Sequence, residues 1–354
     1  MIDFRMSRRD LLRAGAGAAA LSSIPSLSEA AVDEMRVLFP GGSWKEYFER
    51  VFANDFAKKE NVKFNWRAGH RFTAIVIAQR RNPQWDLMHS NQTDAMQLGT
   101  MGLLSEWKED RIPHLKDVHE AFRYPYLAGK VHTPYGLCVN TKRITRKIDS
   151  WNDLWDPEFA GKVAFPDWGW VGEELFHAVN LVFGGTEENV DPGIAKFKEL
   201  YQKNKAKVGK NVDEMMQLFV NEELWIAPLF SARTMQARAK GAPVEFVIPK
   251  EGGMSWIYQT GLIANRSKER TEMSERLVDF TLDPERQIEF SKLTGYPPTN
   301  KKAIANIPAD RKDLMLTESE LQLLAKLQSK LDYMAMFGYR DQYRERWQKE
   351  VLGS

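Results

Sequence analysis

From residue 34 onward, short apolar runs alternate with amphipathic stretches. Glu34 to Phe39 reads as a strand ending in Pro40-Gly41-Gly42-Ser43, after which Tyr47, Phe48, Val51, Phe52 and Phe56 recur at helical spacing. Val62 to Trp66 predicts a second strand and Arg71 to Arg80 a second helix. Trp85 to Met88 predicts a third strand, opening into a loop at Ser90-Asn91-Gln92-Thr93-Asp94. Such alternation predicts a mainly parallel sheet with helices on both faces.

The pattern loosens after Leu104 and resumes with a strand from Tyr135 to Asn140. The stretch from Ser150 to Phe176 then organises the rest. Ser150 is placed to N-cap a short helix carrying Trp151, Leu154 and Trp155, Pro157 ends that helix, and Lys162 to Phe165 predicts a short buried strand. The turn from Pro166 to Gly172 sets Trp168 and Trp170 beside glycines, ahead of a helix that begins Glu173-Glu174. A strand end feeding a helix start is where open α/β sheets hold ligands. The two indoles there are either a stacking platform or core packing, and the two glutamates suit a helix start for structural reasons alone.

Helices are predicted around Ala195 to Asn204 and Val212 to Val220, with a buried strand from Leu224 to Phe230. Ser231 is placed to cap the next helix, which puts Arg233 in its first turn. Val244 to Pro249 predicts a strand, and Trp256 to Ala264 a long one that returns to the first domain. Residues 31–138 with 262–305 are expected to form one lobe, 139–261 a second, and 306–354 a set of helices packing on the lobes. In that last part Thr317 and Glu320 form a capping box ahead of Leu321, Leu323, Leu324 and Leu327.

The first 30 residues read differently. Arg5, Arg8, Arg9 and Arg13 precede a small-residue apolar run from Ala14 to Leu21 and then Ser28-Glu29-Ala30, the pattern of a cleaved export signal. Ser7-Arg8-Arg9-Asp10-Leu11-Leu12 resembles the twin-arginine signal. The bland alternative is a disordered basic start. A net charge of +2 from 50 basic and 48 acidic residues gives no argument for nucleic acid. Cys138, the only cysteine, excludes an internal disulfide and a clustered thiolate metal site, and is expected as a small buried hydrophobe.

The six histidines fall at no metal-ligand spacing, and no nucleophile, zinc-protease, Walker or dinucleotide motif is present. No cofactor, metal or catalytic residue is therefore expected. Instead, strand-end loops supply aromatic and polar groups: Ser43, Trp44, Asn91, Thr93, Asp94, Tyr135, Trp168, Trp170, Phe230, Arg233, Trp256 and Tyr258. Gathered at strand ends, these would line one cleft between two hinged domains.

Four segments carry a family resemblance. They are Trp44-Lys45-Glu46-Tyr47, Ser150 to Pro166, Pro249 to Trp256, and Gly295-Tyr296-Pro297-Pro298-Thr299-Asn300-Lys301. In order and spacing the chain resembles the extracytoplasmic solute-binding proteins of ABC importers, in the branch containing spermidine/putrescine-binding proteins. The resemblance implies an α/β, two-lobed periplasmic-binding-protein fold of type II-like form with a hinge. It also implies a monomeric periplasmic receptor that partners a small-molecule ligand and an inner-membrane permease. In the polyamine binders an aromatic box holds the methylene chain and carboxylates hold the ammonium ends. Trp256 matches the box tryptophan and Glu46 an acidic position. Tyr258 stands where those proteins carry an aspartate, Thr93-Asp94 where they carry a tyrosine pair, and Phe230 where they carry a tryptophan.

Arg233 argues for an anionic group on the ligand, or else pairs with an acidic surface neighbour. With Asp94, Glu46 or Glu173 opposite, the pocket suits a zwitterion; those carboxylates are alternatively solvated surface groups. The expected ligand is a small nitrogen-containing metabolite of the polyamine, amino acid or ω-amino acid class. An exported enzyme using the same cleft and a ligand-presenting sensory partner are the alternatives.

Overall fold

The computed structural model describes residues 32–69 and 72–353. The expected export signal and Arg71 lie outside them. Strand β1 (Glu34–Phe39) buries Met35, Val37, Leu38 and Phe39, and the chain then turns at Gly42, whose φ of 64° disfavours any side chain. Helix α1 runs through Ser43–Phe48, Glu49–Ala53 and Asn54–Glu60, burying Phe48, Phe52 and Phe56 at four-residue spacing. Strand β2 (Lys63–Ala68) and helix α2 (Phe72–Ala78) follow.

Strand β3 (Leu87–Asn91) begins later than expected. Asp86 is withdrawn from it because its buried carboxylate binds Arg266 at 2.9 Å and Arg270 at 2.7 Å and accepts from the Arg36 amide at 2.8 Å. Ser90 and Asn91, expected in an open loop, end the strand. Asn91 then caps helix α3 (Gln92–Thr100) by accepting from the Asp94 amide at 2.9 Å.

The remaining elements are β4 (Val131–Asn140), β5 (Ala164–Pro166), α4 (Glu173–Val182), α5 (Asp191–Gln202), β6 (Lys207–Gly209) and α6 (Val212–Val220). Next come β7 (Ile226–Phe230), α7 (Ser231–Ala239), β8 (Val244–Val247) and β9 (Met254–Leu262). Helices α8 (Lys268–Thr281), α9 (Pro284–Thr294), α10 (Lys301–Ala305), α11 (Glu318–Gln328) and α12 (Tyr333–Arg346, continued by Trp347–Leu352) follow.

The seven-stranded sheet has the order β8-β4-β9-β3-β1-β2, with β7 also on β4. It is mixed rather than mainly parallel: β1 pairs parallel with β2 and β3, whereas every pair involving β4 or β9 is antiparallel. These two long strands each change partner midway. β4 pairs with β9 up to Tyr135, with β7 from Tyr135 onward and with β8 from Leu137; at Tyr258, β9 passes from β4 to β3.

One apolar core gathers around Phe39, Phe52, Leu87, Leu277 and Phe290, and a second around Phe165, Phe176, Phe197 and Trp347. A smaller one holds Cys138 with Met215, Phe219 and Leu229, as expected of a buried thiol.

Ser150 caps a 3-10 helix, Trp151–Trp155, in a capping box with Asp153. Pro157 both ends that turn and opens another, Pro157–Phe159. Ser150 Oγ also donates to Glu251 at 2.6 Å and the Trp151 indole to the Gly252 carbonyl at 2.7 Å, so two of the four resemblance segments meet. Ser231 does not cap α7. The cap position is Phe230, and Arg233 stays in the first turn.

Candidate ligand-binding site

The pairing register places the expected aromatic residues on one face of the sheet. Residues opposite each other across antiparallel strands share a face, as do residues two apart along a strand. Tyr258 pairs with Asn91, Met254 with Tyr135 and Tyr135 with Phe230, so Asn91, Tyr258, Trp256, Tyr135 and Phe230 project together. They form two adjoining ring groups. Tyr135, Phe230 and Trp256 meet at centroid distances of 4.9, 5.3 and 5.5 Å, at the partner change of β4. Tyr258 meets His89 in a stack at 5.6 Å, Tyr296 at 5.8 Å and Trp44 at 5.9 Å.

Charged groups approach this face from two directions. A cavity of about 590 Å³ is lined by Thr73, Asn91, Thr93, Asp94, Trp168, Glu173, Glu174, Arg340 and others. Within it Thr93 Oγ1 donates to Glu174 at 3.1 Å, Thr73 Oγ1 to Asp94 at 3.2 Å, and Arg340 Nε reaches both Glu173 oxygens at 2.8 and 2.9 Å. Burial raises the Asp94 carboxyl above its ordinary range, with Thr73 and Arg340 opposing. Burial raises Glu174 further, to about 7, helped by the neighbouring charge of Glu173 and opposed by its hydrogen bonds and by Arg340.

On the other side Arg233 donates to Gln236 at 2.7 Å and opposes the rise that burial gives the Tyr296 phenol. Burial raises Tyr258 above the ordinary phenol range; Arg233 pulls it down and Glu174 pushes it up. The Tyr258 phenol therefore lies within the field of both a cation and a carboxylate.

Several expected residues are placed otherwise. Trp168 is 5% exposed and packs on Phe176 at 5.2 Å and Trp347 at 5.5 Å, so its ring is core, although it also borders the cavity. Trp168, Trp256 and Tyr258 belong to three ring groups rather than one. Tyr135 is 0% exposed and Trp256 4%, so both form the backing of the face. Ser43 and Glu46 are exposed on α1. The side chain of Trp170 lies outside the described residues. Glu173 is engaged by Arg340 rather than free for an ammonium group.

Glu174, His89, Tyr296 and Arg340 are neighbours of the face that the sequence reading missed. Tyr296 lies in a resemblance segment and so was within reach of it; Arg340, on a helix remote in sequence, gave no signal.

Residues 100–322 match the family model described as bacterial extracellular solute-binding protein. Spermidine/putrescine-binding periplasmic protein 1 of Haemophilus influenzae is 25% identical over 281 residues, covering 76% of this chain and 77% of that protein. An ABC transporter structure from Clostridium perfringens superposes with a TM-score of 0.77 at 18% identity, covering 90% of this chain and 99% of that one. The Atu4243-GABA receptor does so with a TM-score of 0.72 at 17% identity, covering 89% and 96%. Members of this family are receptors without enzymatic activity, and no described helix is long and apolar enough to cross a membrane. The chain belongs to the bacterial extracellular solute-binding proteins, with the α/β fold of periplasmic binding proteins and a distant similarity to the spermidine/putrescine-binding members.

Proposed function

We propose that the protein is the periplasmic receptor of an ABC importer for a small zwitterion of the ω-amino acid class. What supports this reading is that Arg233 and Glu174, of opposite charge, both act on the Tyr258 phenol, which stacks and packs with His89, Tyr296 and Trp44. A carboxylate end binds Arg233 with Tyr296, an ammonium end binds Glu174 with Asp94, and the methylene chain lies against Tyr258 and Trp44. Relatives point to amines, since one similar protein is named for spermidine and putrescine and another for GABA. Against a polyamine, the residue two after Trp256 is neutral Tyr258 and Arg233 repels a second ammonium.

The reading includes two lobes, 31–138 with 262–305 and 139–261, that swing where β4 and β9 change partner, and delivery of the ligand to a membrane permease. Export through the amino-terminal signal belongs to the same proposal. A thermal-shift screen of the mature protein tests it, because a ligand that binds only the native state raises Tm. The ω-amino acids are expected to give the largest rise; a rise with polyamines alone would overturn the proposal.

A further inference from the structure

Lys130 immediately precedes β4, and its side chain is 0% exposed. Its Nζ lies 5.4 Å from the ring centre of Phe48, 5.6 Å from Phe290 and 6.0 Å from Trp44, with no hydrogen-bond partner among the described residues. Burial alone lowers its pKa, to about 7, and no carboxylate contributes. The three rings offset part of the cost of an enclosed ammonium but give it no acceptor.

Three more donors around Phe290 are in the same condition. The Trp44 ring lies 5.3 Å from Phe290 and its Nε1 is buried without a partner. Gln287 and Ser291, one turn apart on α9 on either side of Phe290 in sequence, are both 0% exposed and leave Nε2 and Oγ unpaired. The Gln287 carboxamide is anchored close to Lys130. Its Oε1 accepts from the amides of Thr299 at 3.0 Å and Asn300 at 2.9 Å, and Thr299 Oγ1 donates to the carbonyl of Gly129.

Buried polar groups are nearly always paired, so Lys130 and Trp44 against Phe290, with two further orphans on the same turn of α9, point to a missing partner. All four are donors, and what they share must be an acceptor. A water would accept from two of them but brings no charge to balance the ammonium. A small anion brings acceptor capacity alone, together with the charge that the ammonium lacks.

From this we infer that the cage around Phe290 is a small-anion site of the halide class, with Lys130 as the cation and Trp44, Gln287 and Ser291 as neutral donors. Trp44 also packs on Tyr258 and Tyr296, so the bound ion fixes one wall of the ligand face from behind. The site is distinct from Arg233 and is filled without ligand.

The test is thermal unfolding of the ligand-free mature protein in sodium chloride, bromide or isethionate at matched ionic strength. Chloride and bromide are expected to raise Tm above isethionate by about 2–4 °C in the wild type and equally in Arg233→Gln. Lys130→Met, which fills the cage with an apolar chain, is expected to abolish the difference. Equal Tm in all three salts, or a difference that survives Lys130→Met, overturns the site; a difference lost in Arg233→Gln assigns the ion to the ligand face instead and overturns it too. Should Lys130→Met fail to fold, wild-type crystals soaked in bromide decide it: an anomalous peak at Lys130 Nζ supports the site and its absence refutes it.

Discussion

Glu174 is the residue on which the site's chemistry turns. Its carboxyl is raised by burial and by Glu173 to about 7, whereas in the unfolded chain it titrates near 4.5. A raised acid pKa means that the native state holds the proton longer. The wild type therefore loses stability relative to Glu174→Gln as pH rises from about 4.5 through 7, and the full difference is present above that. Glu174→Gln is expected to melt higher than wild type at pH 8 and to match it at pH 4, while losing affinity for the ammonium end about tenfold or more. Wild-type affinity should fall about tenfold between pH 8 and pH 6 as Glu174 takes up a proton. Calorimetric titration across that range checks both. Trp256→Ala has two effects: its ring is wedged between Tyr135 and Phe230, so the change should cost about 3–5 kcal/mol in urea denaturation as well as weakening binding. At this scale the sequence was only partly legible. It showed an acidic helix start after a tryptophan-rich turn, but Glu173 and Glu174 are adjacent, and only the position of Arg340 decides which of them is neutralised.

Local signals were read well at the scale of elements. Ser150 and Thr317 cap where expected, since a capping box is written in four consecutive residues. Strand pairing was not legible, because what places β4 and β9 antiparallel is contact between residues more than 100 positions apart. The start of β3 was missed for the same reason, as Asp86 is removed by arginines at 266 and 270. The turn at Gly252 and Gly253 lets α11 close on β9. Gly252 has φ 119°, and a Cβ there would stand 2.7 Å from the backbone nitrogen of Leu327. Gly252→Ala is expected to destabilise by about 1–3 kcal/mol, and by more if α11 is displaced, read from the shift of the urea midpoint.

At the scale of the molecule, the proposed arrangement joins two lobes by β4 and β9 and sets the ligand face at their crossing. The α/β architecture was legible because it repeats along the chain. The contribution of α12 was not, since Arg340 reaches α4 across 167 positions. Solution scattering of the mature protein should show a smaller radius of gyration once ligand is added, and an unchanged radius at saturation would argue against a swinging pair of lobes. The most direct measurement is a calorimetric titration with three four-carbon compounds that differ only at their ends: 4-aminobutanoate, 1,4-diaminobutane and butanoate. The account predicts one site per chain for 4-aminobutanoate, with the other two weaker by about tenfold or more, a gap of about 1.4 kcal/mol. Binding of 1,4-diaminobutane as tight as that of 4-aminobutanoate would contradict it.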